Sequence, residues 1–238
     1  MPDTILFDLD GTLLPFEQED FIREYFADLC AGFPQYAPEK FVDAVWAGTA
    51  AMIRNDGQEY NRDVFWRNFA GALGDGVYAL EDTIDDFYGG PKFDGISRVL
   101  KTRRDLRPMI AGLKNKGYTL VLATNPIFPL VAVRTRLGWI GLEESDFSLI
   151  TMYSNSKSCK PNLSYYKDIL AKTGKAAEQC VMVGNSVLED MCAEKLGIKT
   201  ILITDHIENA HVTEFTRFER MSFNEFAEYA AGLKPVIS

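Results

Sequence analysis

Near its amino terminus the chain reads Ile5-Leu6-Phe7-Asp8-Leu9-Asp10-Gly11-Thr12-Leu13, and the fold prediction starts from these residues. An apolar run that ends in aspartates is typical of a short strand buried on both faces of a parallel sheet, so we predict a strand over residues 4–7. Side chains alternate along a strand, and Asp8 and Asp10 therefore point the same way if the extended geometry continues. Gly11 then permits a sharp turn. Two like charges at a strand end are costly unless a cation compensates them or the protein uses them chemically.

The composition narrows the class of protein. The chain has 238 residues, of which 47% are apolar, so it is long enough to bury a substantial core in one large domain or two small ones. Its formal net charge of -9 disfavours nucleic-acid binding through a basic surface. A small phosphorylated ligand is still compatible with this charge, because a local cation can outweigh it.

The cysteines and the apolar segments favour a cytoplasmic protein. The four cysteines are scattered without a CxxC pair, which indicates free thiols rather than disulfides or a zinc site. No basic and apolar leader opens the chain. The longest apolar region, residues 120–133, is interrupted by Asn125, Pro126 and Pro129, so we expect no membrane span.

The first third of the chain after the opening strand has the periodicity of helices. The predicted helices cover residues 17–31, 38–54, 59–73 and 78–88. An aromatic stripe in this region is interpreted as the core of a helical unit; its members are Trp46, Phe65, Trp66 and Phe69. Gly89-Gly90-Pro91 then suits a boundary.

From about residue 100 onward, apolar runs alternate with helical segments. Predicted strands lie at 120–123, 147–152, 180–183 and 200–203, and predicted helices at 104–116, 162–173, 187–196 and from Ser222 onward. This alternation predicts an α/β fold with a doubly wound parallel sheet. Because the first strand belongs to that sheet, the helical block is an insertion. We predict an α/β core at residues 1–15 and 96–238, and an all-helical cap at 16–95.

Polar residues follow the strands of this predicted sheet. Ligands bind at the carboxyl ends of parallel strands, so we expect the following residues to meet there: Asp8, Asp10, Thr124, Asn125, Lys160, Asn185 and Asp190. Carboxylate and amide oxygens suit Mg²⁺, while a lysine and a hydroxyl suit a phosphoryl group. An ionised aspartate is a competent nucleophile toward phosphorus, and a second one can protonate the leaving alkoxide and then deprotonate water.

Taken in order, these motifs resemble the four motifs of the haloacid dehalogenase (HAD) superfamily of hydrolases. The first is Asp8-Leu9-Asp10-Gly11-Thr12-Leu13, and the second is the strand that ends at Thr124-Asn125. The third is Lys160-Pro161, and the fourth is Val183-Gly184-Asn185-Ser186 with Asp190. The resemblance covers residue 4 to about residue 203, and the set of motifs is specific although each motif alone is weak.

The resemblance implies a Rossmann-like core with a cap inserted after the first motif. It also implies a Mg²⁺-dependent phosphatase that hydrolyses a small phosphorylated metabolite through an aspartyl-phosphate. In that family Asp8 would be the nucleophile and Asp10 the general acid and base. Thr124 and Lys160 would bind phosphate, and we group Asn125 with them.

The metal ligands implied by the resemblance are Asp8, the backbone carbonyl of Asp10, and Asp190. The family usually has aspartate where this chain has Asn185, which keeps an oxygen but loses a negative charge. We expect Asn185 to contact the metal directly or through water, with weaker binding or a shifted metal preference.

Asp10 favours phosphate-ester hydrolysis over other reactions of the superfamily, because its dehalogenases and phosphonate hydrolases lack an acid at this position. A sugar phosphomutase keeps both aspartates and stays an alternative, as does a non-catalytic protein that binds a phosphorylated metabolite. The predicted cap offers Arg54, Trp66, Arg67 and Lys92 as candidates for substrate recognition, and the sequence leaves open which of them face the site. It is equally compatible with a monomer and a homodimer.

Overall fold

The computed structural model describes residues 2–211 and 214–236. Its strands, in chain order, are β1 (Thr4–Phe7), β2 (Thr119–Leu122), β3 (Leu149–Ile150), β4 (Cys180–Gly184), β5 (Lys199–Ile203) and β6 (Arg220–Met221). They form one parallel sheet with the order β3-β2-β1-β4-β5-β6. The predicted parallel sheet is therefore confirmed, with β3 shorter than expected and β6 an addition at the edge.

The α-helices between β1 and residue 96 lie within the predicted insertion. They are α1 (Gln18–Gly32), α2 (Pro38–Ile53), α3 (Asn61–Leu73), α4 (Glu81–Gly89) and α5 (Pro91–Gly95), with short 3-10 helices at Asp75–Leu80 and Ile96–Val99. Their buried apolar side chains join those of β1 in one continuous cluster, in which Phe7 of the sheet and Phe21 of α1 are both members. The division of the chain into a core and a cap stays a prediction.

The remaining helices cover the sheet. They are α6 (Arg107–Asn115), α7 (Leu130–Gly138), α8 (Leu163–Thr173) and α9 (Phe223–Gly232). Alternation along β1 places Ile5 and Phe7 in the cluster that contains α6 and α9 residues, whereas Leu6 packs in the cluster that contains α8 residues. Apolar side chains on both faces of the strand thus require helices on both faces of the sheet. This is the predicted doubly wound arrangement.

Two predictions for this half of the chain were wrong in detail. The helix expected at 187–196 is a 3-10 helix over Met191–Leu196, because the main-chain N–H of Ser186 donates to Asp190 Oδ2 (2.9 Å) and closes a turn before it. Helix α7 was not predicted, because Pro129 looked like a break in an apolar region. Pro129 is instead the residue that precedes the first turn of this helix. The predicted capping box of Ser222 and Glu225 is present at the start of α9.

The strand order reverses between β1 and β4. The chain moves outward from β1 to β2 and β3, and then crosses back to place β4 on the other side of β1. A crevice forms at such a reversal, outside the carboxyl ends of the two central strands. Asp8 and Asn185 are the residues that directly follow these two strands.

The four cysteines are free thiols, as predicted. Across the described ranges, no helix has the length and apolar character needed to cross a membrane.

Candidate active site

Asp8 is fixed at the end of β1 by two side chains. Lys160 Nζ donates to Asp8 Oδ1 at 2.9 Å, and Thr12 Oγ1 donates to Asp8 Oδ2 at 3.0 Å. Thr12 comes back to Asp8 because Gly11, with a φ of 77°, turns the chain directly after the strand. The carboxylate is buried but still lines a cavity, so it is both oriented and accessible to a ligand.

Lys160 is a buried cation shared by two carboxylates. Its Nζ also donates to Asp190 Oδ1 at 2.6 Å, and the residue is almost completely inaccessible to solvent. Burial alone would lower the pKa of Lys160, but Asp190 and Asp8 raise it well above its ordinary value. The sequence prediction that Lys160 supplies local positive charge at this site is consistent with this geometry.

Asp10 is held by an arginine that the sequence did not reveal. Arg136 Nη1 donates to Asp10 Oδ2 at 2.5 Å, and no solvent reaches the Arg136 side chain. The guanidinium lies 4.5 Å from the ring centroid of Phe128. Burial raises the pKa of Asp10, and the charge of Asp8 adds to this effect while Arg136 opposes it. Asp10 Oδ1 accepts no hydrogen bond from any residue that the structure describes.

Thr124 and Asn125 follow β2 and face the same cavity. The main-chain carbonyl of Thr124 accepts hydrogen bonds from Thr151 Oγ1 (2.7 Å) and from the Tyr165 hydroxyl (2.9 Å), which fixes the backbone there. Asn125 accepts from the Lys160 N–H at 3.2 Å and donates to Glu189 at 3.0 Å. Asn125 therefore links the end of β2 to Lys160 and to Glu189. Its contact with phosphate stays a prediction.

The segment after β4 is also tightly fixed. Asn185 Oδ1 accepts from Thr12 Oγ1 at 3.0 Å, and Asn185 Nδ2 donates to the carbonyl of His206 at 2.6 Å. A Cβ at Gly184 would lie 2.2 Å from Asp190 Oδ2, so only glycine allows the Asp190 carboxylate to approach this backbone. Burial raises the pKa of Asp190, against the effect of Lys160.

The oxygen donors at this end of the sheet fit a hard divalent cation. Asp8 and Asp190 share the ammonium of Lys160, and Thr12 joins Asp8 to Asn185, so these side chains converge. Carboxylate and amide oxygens are the donors that Mg²⁺ takes, together with waters and phosphate oxygens. Among residues 2–211 and 214–236, no cluster of three or more His, Cys, Asp and Glu side chains is arranged to hold a metal alone. A cation here would therefore need ligands beyond these residue types, such as Asn185 or the main-chain carbonyl of Asp10.

Two further acidic residues at the site were missed by the sequence reasoning. Burial raises the pKa of Glu189 to about 7, and burial with the charge of Asp8 raises the pKa of Glu208 to about 8. Glu208 reaches the site because its main-chain N–H and C=O bond to Asn185 and Val187 across two neighbouring loops. Glu189 was adjacent to a predicted ligand, whereas no sequence signal distinguished Glu208.

One cavity of about 220 Å³ unites most of the predicted residues. Its lining includes Asp8, Asp10, Thr124, Asn125, Asn185 and Asp190, and Lys160 lies buried beneath them. Of the four candidates for substrate recognition, only Trp66 lines this cavity. Arg54, Arg67 and Lys92 are exposed elsewhere on the helical segment. The interpretation of the aromatic stripe as core holds for Trp66 and Phe69, whereas Trp46 is exposed.

A model of a hydrolase family matches most of this chain. A family model described as haloacid dehalogenase-like hydrolase matches residues 2–193. A search of curated proteins found no significant match. Among solved structures, the HAD phosphatase from Thermococcus onnurineus is 19% identical with a TM-score of 0.61, over 99% of this chain and 100% of that chain.

Other similar structures differ in the activity or the bound ligand that their names state. The 2-haloacid dehalogenase from Pseudomonas syringae pv. Tomato DC3000 is 17% identical with a TM-score of 0.60, over 97% of this chain and 99% of that chain. CbbY from Rhodobacter sphaeroides, solved in complex with phosphate, is 20% identical with a TM-score of 0.58, over 98% of this chain and 100% of that chain. At these identities the likeness shows the fold.

Proposed function

Because the chain belongs to the haloacid dehalogenase-like hydrolases, we propose that it is a magnesium-dependent phosphatase that hydrolyses a small phosphorylated metabolite through an aspartyl-phosphate. The main observation in support of this proposal is that two neighbouring carboxylates have different hydrogen-bond partners. Asp8 is oriented by Lys160 and Thr12, whereas Asp10 keeps one oxygen without a hydrogen bond among the described residues. One carboxylate is thus placed to attack and the other to exchange a proton.

In the first half of the proposed reaction, a carboxylate oxygen of Asp8 attacks the phosphorus atom of the substrate. A bond forms between this oxygen and phosphorus while the bond from phosphorus to the substrate alkoxide breaks. Asp10 transfers its proton from Oδ1 to the departing alkoxide, which leaves as an alcohol. Lys160 reduces the repulsion between the Asp8 carboxylate and the phosphate dianion, since its charge lies 2.9 Å from Asp8 Oδ1.

In the second half, water replaces the aspartate on phosphorus. The ionised Asp10 takes a proton from a water molecule, whose oxygen attacks the phosphorus of the aspartyl-phosphate. The bond between phosphorus and Asp8 breaks, which releases inorganic phosphate and restores both carboxylates for the next cycle. Arg136 keeps Asp10 in place through Oδ2, and we assign these proton transfers to Oδ1, which is buried and has no hydrogen-bond partner among the described residues.

Magnesium would be held by Asp8, Asp190, Asn185 and the main-chain carbonyl of Asp10. The bound ion would supply positive charge that stabilises the phosphoryl oxygens in the transition state. Support for a cation comes from the excess of acidic residues that line the cavity, where Glu189 and Glu208 accompany the three aspartates.

The purified protein is expected to hydrolyse an aryl phosphate in the presence of Mg²⁺, and EDTA in excess is expected to remove this activity. Without Mg²⁺ the carboxylates of the site repel the phosphate dianion, so we expect the rate of hydrolysis to fall by roughly 100-fold or more. Release of inorganic phosphate measures the activity, and added Mg²⁺ should restore it.

Conversion of a sugar phosphate to its isomer without phosphate release would favour a mutase. Chloride release from chloropropionate without phosphatase activity would favour a dehalogenase, and binding of phosphate esters without turnover would favour a sensor.

The variant Asn185→Asp is expected to bind Mg²⁺ more tightly, by roughly 5- to 10-fold, because ligand charge raises the affinity of a site for a divalent cation. Calorimetric titration with Mg²⁺ measures the change directly. The matched control is Asn115→Asp, which makes the same chemical change at an exposed position at the end of α6. An unchanged Mg²⁺ affinity in Asn185→Asp would show that residue 185 takes no part in metal binding.

A further inference from the structure

The cavity that contains Asp8 and Asp10 is also lined by apolar side chains of the helical segment. Rings and branched side chains from α1, α2 and α3 line it, among them Phe21, Tyr25, Phe26, Val45, Trp46 and Phe65. About 10–15 Å³ of such space holds one water molecule, so a cavity of about 220 Å³ is large enough for a substantial organic group. The apolar part is continuous with the carboxylates, because the same cavity contains both sets of residues.

Two apolar side chains of α2 are exposed where they line this cavity. Trp46 and Ile53 each keep 44% of their surface accessible. An indole ring gains from leaving water, and its exposure in a concave site beside catalytic groups is typical of a surface that a ligand covers. The ring of Phe26 lies 5.3 Å from that of Trp46, which extends the apolar surface toward α1.

The charges of the lining have one sign. Its acidic members are Asp8, Asp10, Glu189, Asp190 and Glu208, and its described residues include no lysine, arginine or histidine. The nearby cations do not change this. Lys160 and Arg136 are buried beneath the lining and already paired with carboxylates.

We propose that the substrate is a phosphomonoester whose alcohol part carries an uncharged apolar group, aromatic or branched aliphatic, and no second phosphate or carboxylate. This proposal rests on the proposed phosphatase function and specifies its substrate class. The phosphate meets Asp8, whose charge is offset by the buried Lys160, and the apolar group lies against Trp46 and Phe26. A second anion would be buried among carboxylates and rings without a cation to pair with it, which is strongly unfavourable.

Three phosphate esters of similar primary alcohols test this proposal. Phenylpropyl phosphate carries a ring, propyl phosphate is the short reference, and carboxypropyl phosphate carries a second anion. We expect kcat/KM for phenylpropyl phosphate to exceed that for propyl phosphate by roughly 10- to 100-fold, which is the gain from burying one ring. We expect carboxypropyl phosphate to be the poorest substrate of the three.

Variants of the apolar lining test whether the preference for phenylpropyl phosphate arises in this cavity. Trp46→Ala is expected to reduce the preference for phenylpropyl over propyl phosphate by roughly tenfold. Ile53→Lys is expected to raise kcat/KM for carboxypropyl phosphate relative to propyl phosphate, because it adds a cation to the lining. The matched control is Tyr229→Ala, which removes an aromatic ring that is 37% exposed on α9 and lies outside this cavity. The control should keep the wild-type preference.

Binding of these esters to a variant that cannot hydrolyse them distinguishes the proposed ligand class from the proposed phosphatase function. Calorimetry with Asp8→Asn should show tighter binding of phenylpropyl phosphate than of propyl phosphate. If the wild type hydrolyses neither ester but this binding order holds, the phosphatase function is wrong, and the inference holds only for the class of ligand that the cavity binds. Equal binding, a preference for carboxypropyl phosphate, or a preference for choline phosphate with its positive charge would overturn the inference, whatever the activity.

Discussion

The variant Asp8→Asn is expected to lose turnover of phosphate esters by roughly 10⁴-fold or more, which is the scale seen when a catalytic nucleophile is removed. An amide oxygen attacks phosphorus poorly and cannot form the aspartyl-phosphate. The variant should stay folded, because Lys160 keeps its 2.6 Å contact with Asp190, and the new amide can accept from Lys160 through its oxygen and donate to Thr12 Oγ1 through its N–H. Phosphate release under single-turnover conditions and thermal unfolding measure the two effects.

The control for this experiment is Asp43→Asn, the same change at an exposed position on α2. It should leave both activity and melting temperature at the wild-type values. Activity of Asp8→Asn within tenfold of the wild type would mean that another group attacks phosphorus, and the covalent mechanism proposed above would then be wrong.

The variant Asp10→Ala is expected to lose stability as well as activity. Arg136 is fully buried, and without Asp10 its charge has no carboxylate partner among the described residues, which costs about 3 kcal/mol of the free energy of unfolding. For a chain of this size such a loss lowers the melting temperature by roughly 6–12 °C. Denaturant unfolding measures the free energy, and phosphate release measures the accompanying loss of general acid catalysis. Asp8→Asn, by contrast, leaves no buried cation unpaired.

A double-mutant cycle isolates the ion pair. Asp10→Ala combined with Arg136→Met removes both charges, so the double variant should be more stable than Asp10→Ala alone. Arg134→Met is the matched control in the same helix, since the ion pair of Arg134 with Glu144 is exposed and should contribute less than about 1 kcal/mol. If Asp10→Ala melts at the wild-type temperature, the contact with Arg136 has no structural importance.

Much of the candidate site could be predicted because short sequence motifs correspond to strand ends. Asp8 follows a strand whose apolar run is visible in the sequence, and Asn185 follows another. Once the sheet is parallel, both residues must lie at the same edge. The close contact of Lys160 with Asp8 and Asp190 agrees with the order of the motifs, although the residues are far apart in the chain.

Other parts of the site could not be predicted, because their role depends on packing between distant segments. Arg136 has no motif around it, and it reaches Asp10 only because α7 packs against the helices that follow β1. Glu208 approaches the site through main-chain hydrogen bonds between two loops, which side-chain patterns do not encode. Three cations of the helical segment were reasonable candidates for substrate recognition, yet none of them lines the cavity.

The sequence by itself determined the α/β class, the parallel sheet, the helical insertion and the residues at the strand ends. These follow from local periodicity and from residue chemistry, which act over a few neighbouring positions. Only the tertiary structure decided which side chains share the cavity, how Asp10 is held, and that the helical segment contributes an apolar lining with no lysine, arginine or histidine among its described residues. Those properties depend on the relative placement of helices, and the same amphipathic pattern that buries Phe69 leaves Trp46 exposed toward the cavity.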